Sequence, residues 1–161
     1  NRLDTDPSLI QATFYYRFYL FRALKKVGLA DRYVSMLQPW KDMIGIGLTT
    51  FAENPEPTRS DCHAWSASPL IDFLATVCGV EPAEPGFKSV KIEPHLGTLQ
   101  RVKGNVPHPN GIISVSIEQK GKRLKGELTL PPDLVGTFKW RDNEMTLTAG
   151  VNKIDVTDKH K

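Results

Sequence analysis

Glu81-Pro82-Ala83-Glu84-Pro85-Gly86 is the stretch at which this 161-residue chain changes character. Its two prolines hold the backbone extended and lack the N–H that a neighbouring element would require, so its composition is that of a linker. Upstream, apolar residues crowd into long runs closed by glycine; downstream, they alternate with polar ones. Helices first and strands second predict an α+β chain with a helical part over 1–80, a Pro-rich linker over 81–87 and an antiparallel β-sandwich over 88–161.

The alternation downstream is specific. Val90 and Ile92 share one parity, as do Ile113, Val115 and Ile117; Leu124, Leu128 and Leu130 recur, followed by Phe138 with Trp140, Met145 with Leu147, and Val151, Ile154 and Val156. Asn110-Gly111, Lys120-Gly121 and Asp142-Asn143 supply turns between them. Six or so short strands with one apolar face follow. Phe138 and Trp140 lie two apart and face the same way, toward the core.

Upstream, Asp6-Pro7 reads as an N-cap with proline at the first helical position, Leu9 to Val27 as a helix of about five turns, and Gly28 as its left-handed stop. Leu9, Ala12, Tyr16, Leu20, Ala23 and Val27 occupy one side, and Ile10, Phe14, Phe18 and Phe21 another, so the helix belongs inside a larger body. Arg17 and Arg22 read as snorkelling or paired structural charges. A second helix is expected from Ala30 or Asp31 to about Ile44, kinked or tightened by Pro39, and a third from Ser68-Pro69 to Gly79. Three helices cannot cover one another, so further helices are expected upstream. The start at Asn1, without Met or a leader, fits a mature or truncated product and leaves the compartment unread.

Composition narrows the function classes. No stretch approaches the roughly 18 consecutive apolar residues of a membrane span. The net charge of +3 conceals −2 over residues 1–84 and +5 over 85–161. Lys120, Lys122, Arg123 and Lys125 cluster at an expected hairpin, where basic residues keep a sheet edge solvated, so nucleic acid is not the expected partner. Cys62 and Cys78 are too few for a disulfide framework and read as buried free thiols. His63, His95, His108 and His160 have no metal-ligand spacing, and adjacent Cys62 and His63 do not aim at each other as a nucleophile and base would. No metal or other cofactor is expected.

Between the second and third helices, Gly45 to Ser66 forms a loop of about twenty residues, a length that in compact domains usually signals function. Within it, Gly47-Leu48-Thr49-Thr50-Phe51-Ala52-Glu53 and Arg59-Ser60-Asp61-Cys62-His63-Ala64-Trp65-Ser66-Ala67 resemble the closing catalytic loop of the α-L-rhamnosidases of glycoside hydrolase family 78. Pro82-Ala83-Glu84-Pro85-Gly86-Phe87 and Ile92-Glu93-Pro94-His95-Leu96-Gly97 resemble the start of that family's C-terminal β-sandwich. The motifs cover residues 45–100, and the remainder agrees in architecture. The resemblance implies the last helices of an (α/α)6 barrel, an inverting attack on a terminal rhamnose, Glu53 as general base and His63 lining the sugar site. It also implies a general acid on a loop upstream of this chain, so that the chain alone is inactive. The family often has a bulky aromatic just before the glutamate; here Ala52 holds that place, beside Phe51.

The residue types suit that chemistry. An inverting hydrolase pairs a carboxylate that deprotonates water with a carboxylic acid roughly 6.5–9.5 Å away that protonates the leaving oxygen. An imidazole holds a sugar hydroxyl as donor or acceptor, and Trp65 offers either a ring face or an indole N–H. Read without the resemblance, Glu53 is first a carboxylate capping a turn, His63 a core histidine and Trp65 a core anchor. Arg59 and Asp61 read as an internal ion pair or loop clamp that orients these groups. The expected partners are a rhamnose-terminated glycoside and the rest of the barrel; a different terminal sugar, or a non-catalytic carbohydrate-binding or structural sandwich, is the alternative.

Overall fold

The computed structural model describes Asp6 and residues 8–159. Helix α1 spans Phe14–Lys26, shorter than the sequence pattern predicts. Ser8 donates its N–H back to the Asp6 carboxylate at 3.0 Å, and Thr13, in extended conformation, becomes the N-cap, its Oγ1 accepting from the Tyr16 N–H. The reversal at Asp6 turns the chain away before the helix begins; Pro7 lies outside the described residues. The stop occurs as expected: Gly28, at φ +75°, donates to Lys25 O.

The expected second helix is instead two 3-10 turns, Ala30–Arg32 and Val34–Leu37, followed by helix α2, Gln38–Gly45. Pro39 does not kink a continuous helix. It sits in the first turn of α2, where a missing N–H costs nothing. A 3-10 turn, Ala64–Ala67, leads into helix α3, Ser68–Asp72, which widens into a π-turn over Phe73–Val77 and stops at Gly79, φ +76°. Phe14 packs on Trp40 and Phe21 on Tyr33 with ring centroids 4.8 and 4.7 Å apart, and Trp40 Nε1 donates to Ser66 O at 2.7 Å.

Helix α1 and the α3–π segment run side by side in the same direction. Tyr15 meets Trp65 at one end, Arg22 pairs with Asp72 at 2.8 Å midway, and Lys25 Nζ donates to Ala75 O at 2.7 Å at the other. Both helices therefore begin at the same end, where the long loop joins α3. Arg22 is a paired structural charge, as expected, and Arg17 is buried with its Nε donating to Ala12 O.

Eight strands follow: β1 Val80–Pro82, β2 Ser89–Ile92, β3 Arg101–His108, β4 Gly111–Lys120, β5 Arg123–Leu130, β6 Val135–Trp140, β7 Asn143–Leu147 and β8 Gly150–Thr157. They form two four-stranded sheets, ordered β1-β2-β6-β7 and β3-β4-β5-β8. Two expectations need correction. The proline segment is not free of hydrogen-bonded structure, because its first residues form β1, antiparallel to β2. Nor is the sandwich wholly antiparallel: β2 pairs with β6 in parallel, the chain having traversed three strands of the other sheet before returning.

The inward faces are those read from the alternation. Val90, Ile92, Phe138, Trp140 and Leu147 on one sheet and Ile113, Val115, Ile117, Leu124, Leu128, Leu130 and Ile154 on the other are buried, whereas Val151, expected inside, is exposed. The basic cluster lies at the β4–β5 hairpin, not along a sheet edge, since β5 is internal; Arg123 and Lys125 pair with Asp155 on β8. The helical core and the sandwich core form one cluster, joined where Gly104 of β3 lies against Cys78 and Leu74. Cys78 is buried as expected, but Cys62 is exposed. Among the described residues no helix is long and apolar enough to cross a membrane, and no three His, Cys, Asp or Glu side chains are grouped to hold a metal.

Candidate functional site

The loop between α2 and α3 is held as a narrow clamp. The Glu53 N–H donates to Ser60 O at 2.8 Å and the His63 N–H to Phe51 O at 2.6 Å, so residues 51–53 and 60–63 run alongside each other. Thr50 Oγ1 donates to Asp61 O, Thr58 Oγ1 to Ser60 O at 2.9 Å, and Ser60 Oγ to Cys62 O at 3.2 Å. These side-chain bonds replace secondary structure: each satisfies a carbonyl that a loop would otherwise leave to water.

Glu53 is 5% exposed, and its carboxylate accepts from Arg59 through both nitrogens of one edge, Nε to Oε2 at 3.1 Å and Nη2 to Oε1. The Arg59 hydrogen bonds hold the carboxyl below the usual range; burial opposes this, and the charges of Arg59 and His63 reinforce it. Arg59 is itself mostly exposed, closing over Glu53 from the solvent side. Of the two alternatives, ion pair or loop clamp, Arg59 and Asp61 do not pair with each other: the guanidinium takes Glu53, and Asp61 contributes its main-chain carbonyl to Thr50.

His63 and Trp65 stack with ring centroids 4.1 Å apart at 51°, and Trp65, 46% exposed, touches Tyr15 of α1 at 5.4 Å. Trp65 is thus not a buried anchor. The loop brings together Glu53 with Arg59 and His63 with Trp65. Two cavities adjoin the loop, one of about 310 Å³ lined by Trp40, Leu48, Thr50, Phe51 and Phe73, the other of about 240 Å³ against Met43, Ala52 and Asn54; Glu53, His63 and Trp65 line neither. Phe51 faces the first of these and packs on the helical core.

The sequence reading missed Thr50 and Ser60, which fasten the loop, although both stand in its quoted motifs. It also missed Tyr15, one of the run Tyr15, Tyr16 and Tyr19 whose rings carry polar tips. Phe138 and Trp140 are both buried, so neither is a stacking platform on the sandwich.

Comparison with known proteins gives a consistent picture. Residues 79–155 match the family described as the bacterial alpha-L-rhamnosidase C-terminal domain. No curated protein sequence matches the chain. Among solved structures, the native α-L-rhamnosidase of Aspergillus terreus is similar at a TM-score of 0.79 and 23% identity, over 86% of this chain and 18% of that one. The family 78 rhamnosidase of Bacillus sp. GL1 is similar at 0.76 and 29% identity, over 88% and 16%. The α-L-rhamnosidase of Streptomyces avermitilis, complexed with L-rhamnose, is similar at 0.73 and 17%, over 86% and 17%. This chain spans about a fifth or less of the length of these structures, and the likeness takes in helices as well as sheets.

Proposed function

Because residues 79–155 match the bacterial alpha-L-rhamnosidase C-terminal domain, we propose that this chain is the C-terminal part of a glycoside hydrolase that releases terminal α-L-rhamnose with inversion. In this reading residues 1–80 are the last helices of an (α/α)6 barrel, 81–87 the linker, and 88–161 the C-terminal sandwich, with β1 the strand that ties the linker to it. Exposed Ile44, Leu70 and Ile71 on the helices support further helices packed against them.

The observation that carries the proposal is the buried carboxylate of Glu53, fixed in a hydrogen-bonded loop at the end where α1 and α3 begin. Glu53 takes a proton from the attacking water. Arg59 keeps it ionised between turnovers, His63 holds a sugar hydroxyl, and Trp65 offers its exposed face to the ring. Asp61 and Arg59 set the loop, the first through its carbonyl and the second through the carboxylate. The acid that protonates the leaving oxygen lies in upstream polypeptide, and the chain by itself is inactive.

The test is hydrolysis of an aryl α-L-rhamnoside by the complete enzyme and its Glu53→Gln variant. Loss of a positioned base lowers kcat by roughly 10²- to 10⁴-fold. Undiminished turnover would remove Glu53 from the mechanism. Cleavage of another terminal sugar, with Glu53 still required, would instead keep the mechanism and change the substrate.

A further inference from the structure

Trp40 does more in this fold than fill space. It stands in the first turn of α2, buried, with its ring against Phe14 and Phe21 of α1 at centroid distances of 4.8 and 6.1 Å. A phenylalanine would fill such a site; an indole brings an N–H that must find an acceptor once buried. That N–H donates to Ser66 O at 2.7 Å, from 26 residues away in the chain. Ser66 is itself fully buried, and its N–H donates to His63 O at 3.1 Å, while the His63 N–H donates to Phe51 O at 2.6 Å. Hydrogen bonds in series thus run from the packed rings of α1 and α2 to the backbone of His63, and on to the arm of the loop that carries Glu53.

The turn that this bond reaches has little of its own to hold it. Ala64–Ala67 is a single 3-10 turn, a form with poorer hydrogen-bond geometry than an α-helix, and His63 at its N-cap makes no side-chain cap bond. Its geometry is therefore set from outside, and Trp40 supplies a donor fixed by its packed ring. The same turn aims the rings of His63 and Trp65, which stack 4.1 Å apart. Trp40 and Ser66 are buried within this chain, so further polypeptide packed on its outside leaves their bond in place. We propose that Trp40 is a positioning residue: through its indole N–H it holds the Ala64–Ala67 turn so that His63 and Trp65 meet the sugar in one fixed arrangement. The proposal rests on the rhamnosidase reading above, in which His63 and Trp65 contact the sugar, and adds the group that fixes them.

The experiment compares the complete enzyme with Trp40→Phe, which keeps a ring and loses the donor, and with Phe14→Leu, which loosens the same packing and keeps the donor. Hydrolysis of para-nitrophenyl α-L-rhamnoside, competitive inhibition by free L-rhamnose and Tm are measured for each. Loss of one hydrogen bond that holds the sugar-binding groups weakens binding about three- to tenfold. Trp40→Phe therefore raises KM and the L-rhamnose inhibition constant together by about that factor and leaves kcat within about twofold. Phe14→Leu lowers Tm but leaves both constants within about twofold. 3-Benzothienylalanine in place of Trp40 keeps the bicyclic shape without the N–H; it reproduces the Trp40→Phe effect, and stands as the test if Trp40→Phe does not fold. Unchanged constants on loss of the donor overturn the proposal. A loss that tracks Tm equally in Trp40→Phe and Phe14→Leu also overturns it and makes Trp40 a core residue alone, and a fall in kcat with KM unchanged does so by moving the effect to the Glu53 arm. Absence of rhamnoside cleavage by the parent enzyme overturns the reading beneath it instead.

Discussion

In its proposed role as general base, Glu53 meets two opposing demands. A general base must be ionised, which the Arg59 hydrogen bonds ensure, yet the same bonds lower the carboxylate's affinity for the proton it must accept. The arrangement favours availability over basicity: Glu53 gives up its proton more readily than a free glutamate. In the complete enzyme, Arg59→Ala should therefore raise the Glu53 carboxyl pKa and move the acidic limb of the kcat/KM profile to higher pH. A limb that stays in place on removal of Arg59 would mean that another group controls it. Sequence pointed to Arg59 and Asp61 as an ion pair or a loop clamp and left open that the guanidinium would take Glu53. Arg59 and Asp61 are two apart and Glu53 six away, and only the antiparallel course of 51–53 against 60–63 brings the more distant carboxylate under the guanidinium.

Elements form where local preference and neighbours agree, and shift where they do not. The alternation of apolar residues located β4, β5 and β6 together with their buried faces, because a period of two decides side-chain direction within the strand itself. The start of α1 was misplaced because Asp6 captures the Ser8 N–H and leaves Thr13 as the cap. The parallel seam between β2 and β6 has a specific weak point at Gly136. A Cβ built there would lie 2.1 Å from Val90 O, so Gly136→Ala must push the two strands apart, at a cost of about 1–3 kcal/mol in urea unfolding. Gly45, at the end of α2, has open space around its Cβ position and an ordinary φ; Gly45→Ala should be neutral or stabilising by up to about 1 kcal/mol. Equal effects from the two substitutions would refute the packing argument for β2 and β6.

Across the whole molecule, the helices and the sandwich meet at the carboxylate of Asp31. Arg141, from the β6–β7 turn, reaches it at 2.9 Å, the Gly97 N–H donates to it at 3.3 Å, and His95 Nδ1 lies 4.0 Å away. Burial lowers the His95 pKa first of all; Asp31 and Glu93 pull it up, and Lys25 and Arg141 push it down. A histidine with a depressed folded pKa binds fewer protons than in the unfolded chain, so its contribution to stability is complete above the unfolded value near 6.5 and lost as pH falls below it. Thermal unfolding should show a larger drop in Tm between about pH 7.5 and 5.5 for the parent than for His95→Gln. Matching drops would show that protons are taken up elsewhere on unfolding.

The amino-acid sequence determined the change from helix to strand near residue 81, the inward faces of the sandwich and the glycine stops at Gly28 and Gly79, because each depends on a few consecutive residues and their backbone preferences. Tertiary structure alone decided that Val80–Pro82 becomes a strand, that β2 lies parallel to β6, that Arg59 closes over Glu53, and that Tyr15 stands beside Trp65. Each of these joins segments whose partner arrives from elsewhere in the chain, and which partner arrives is fixed by how the whole core packs.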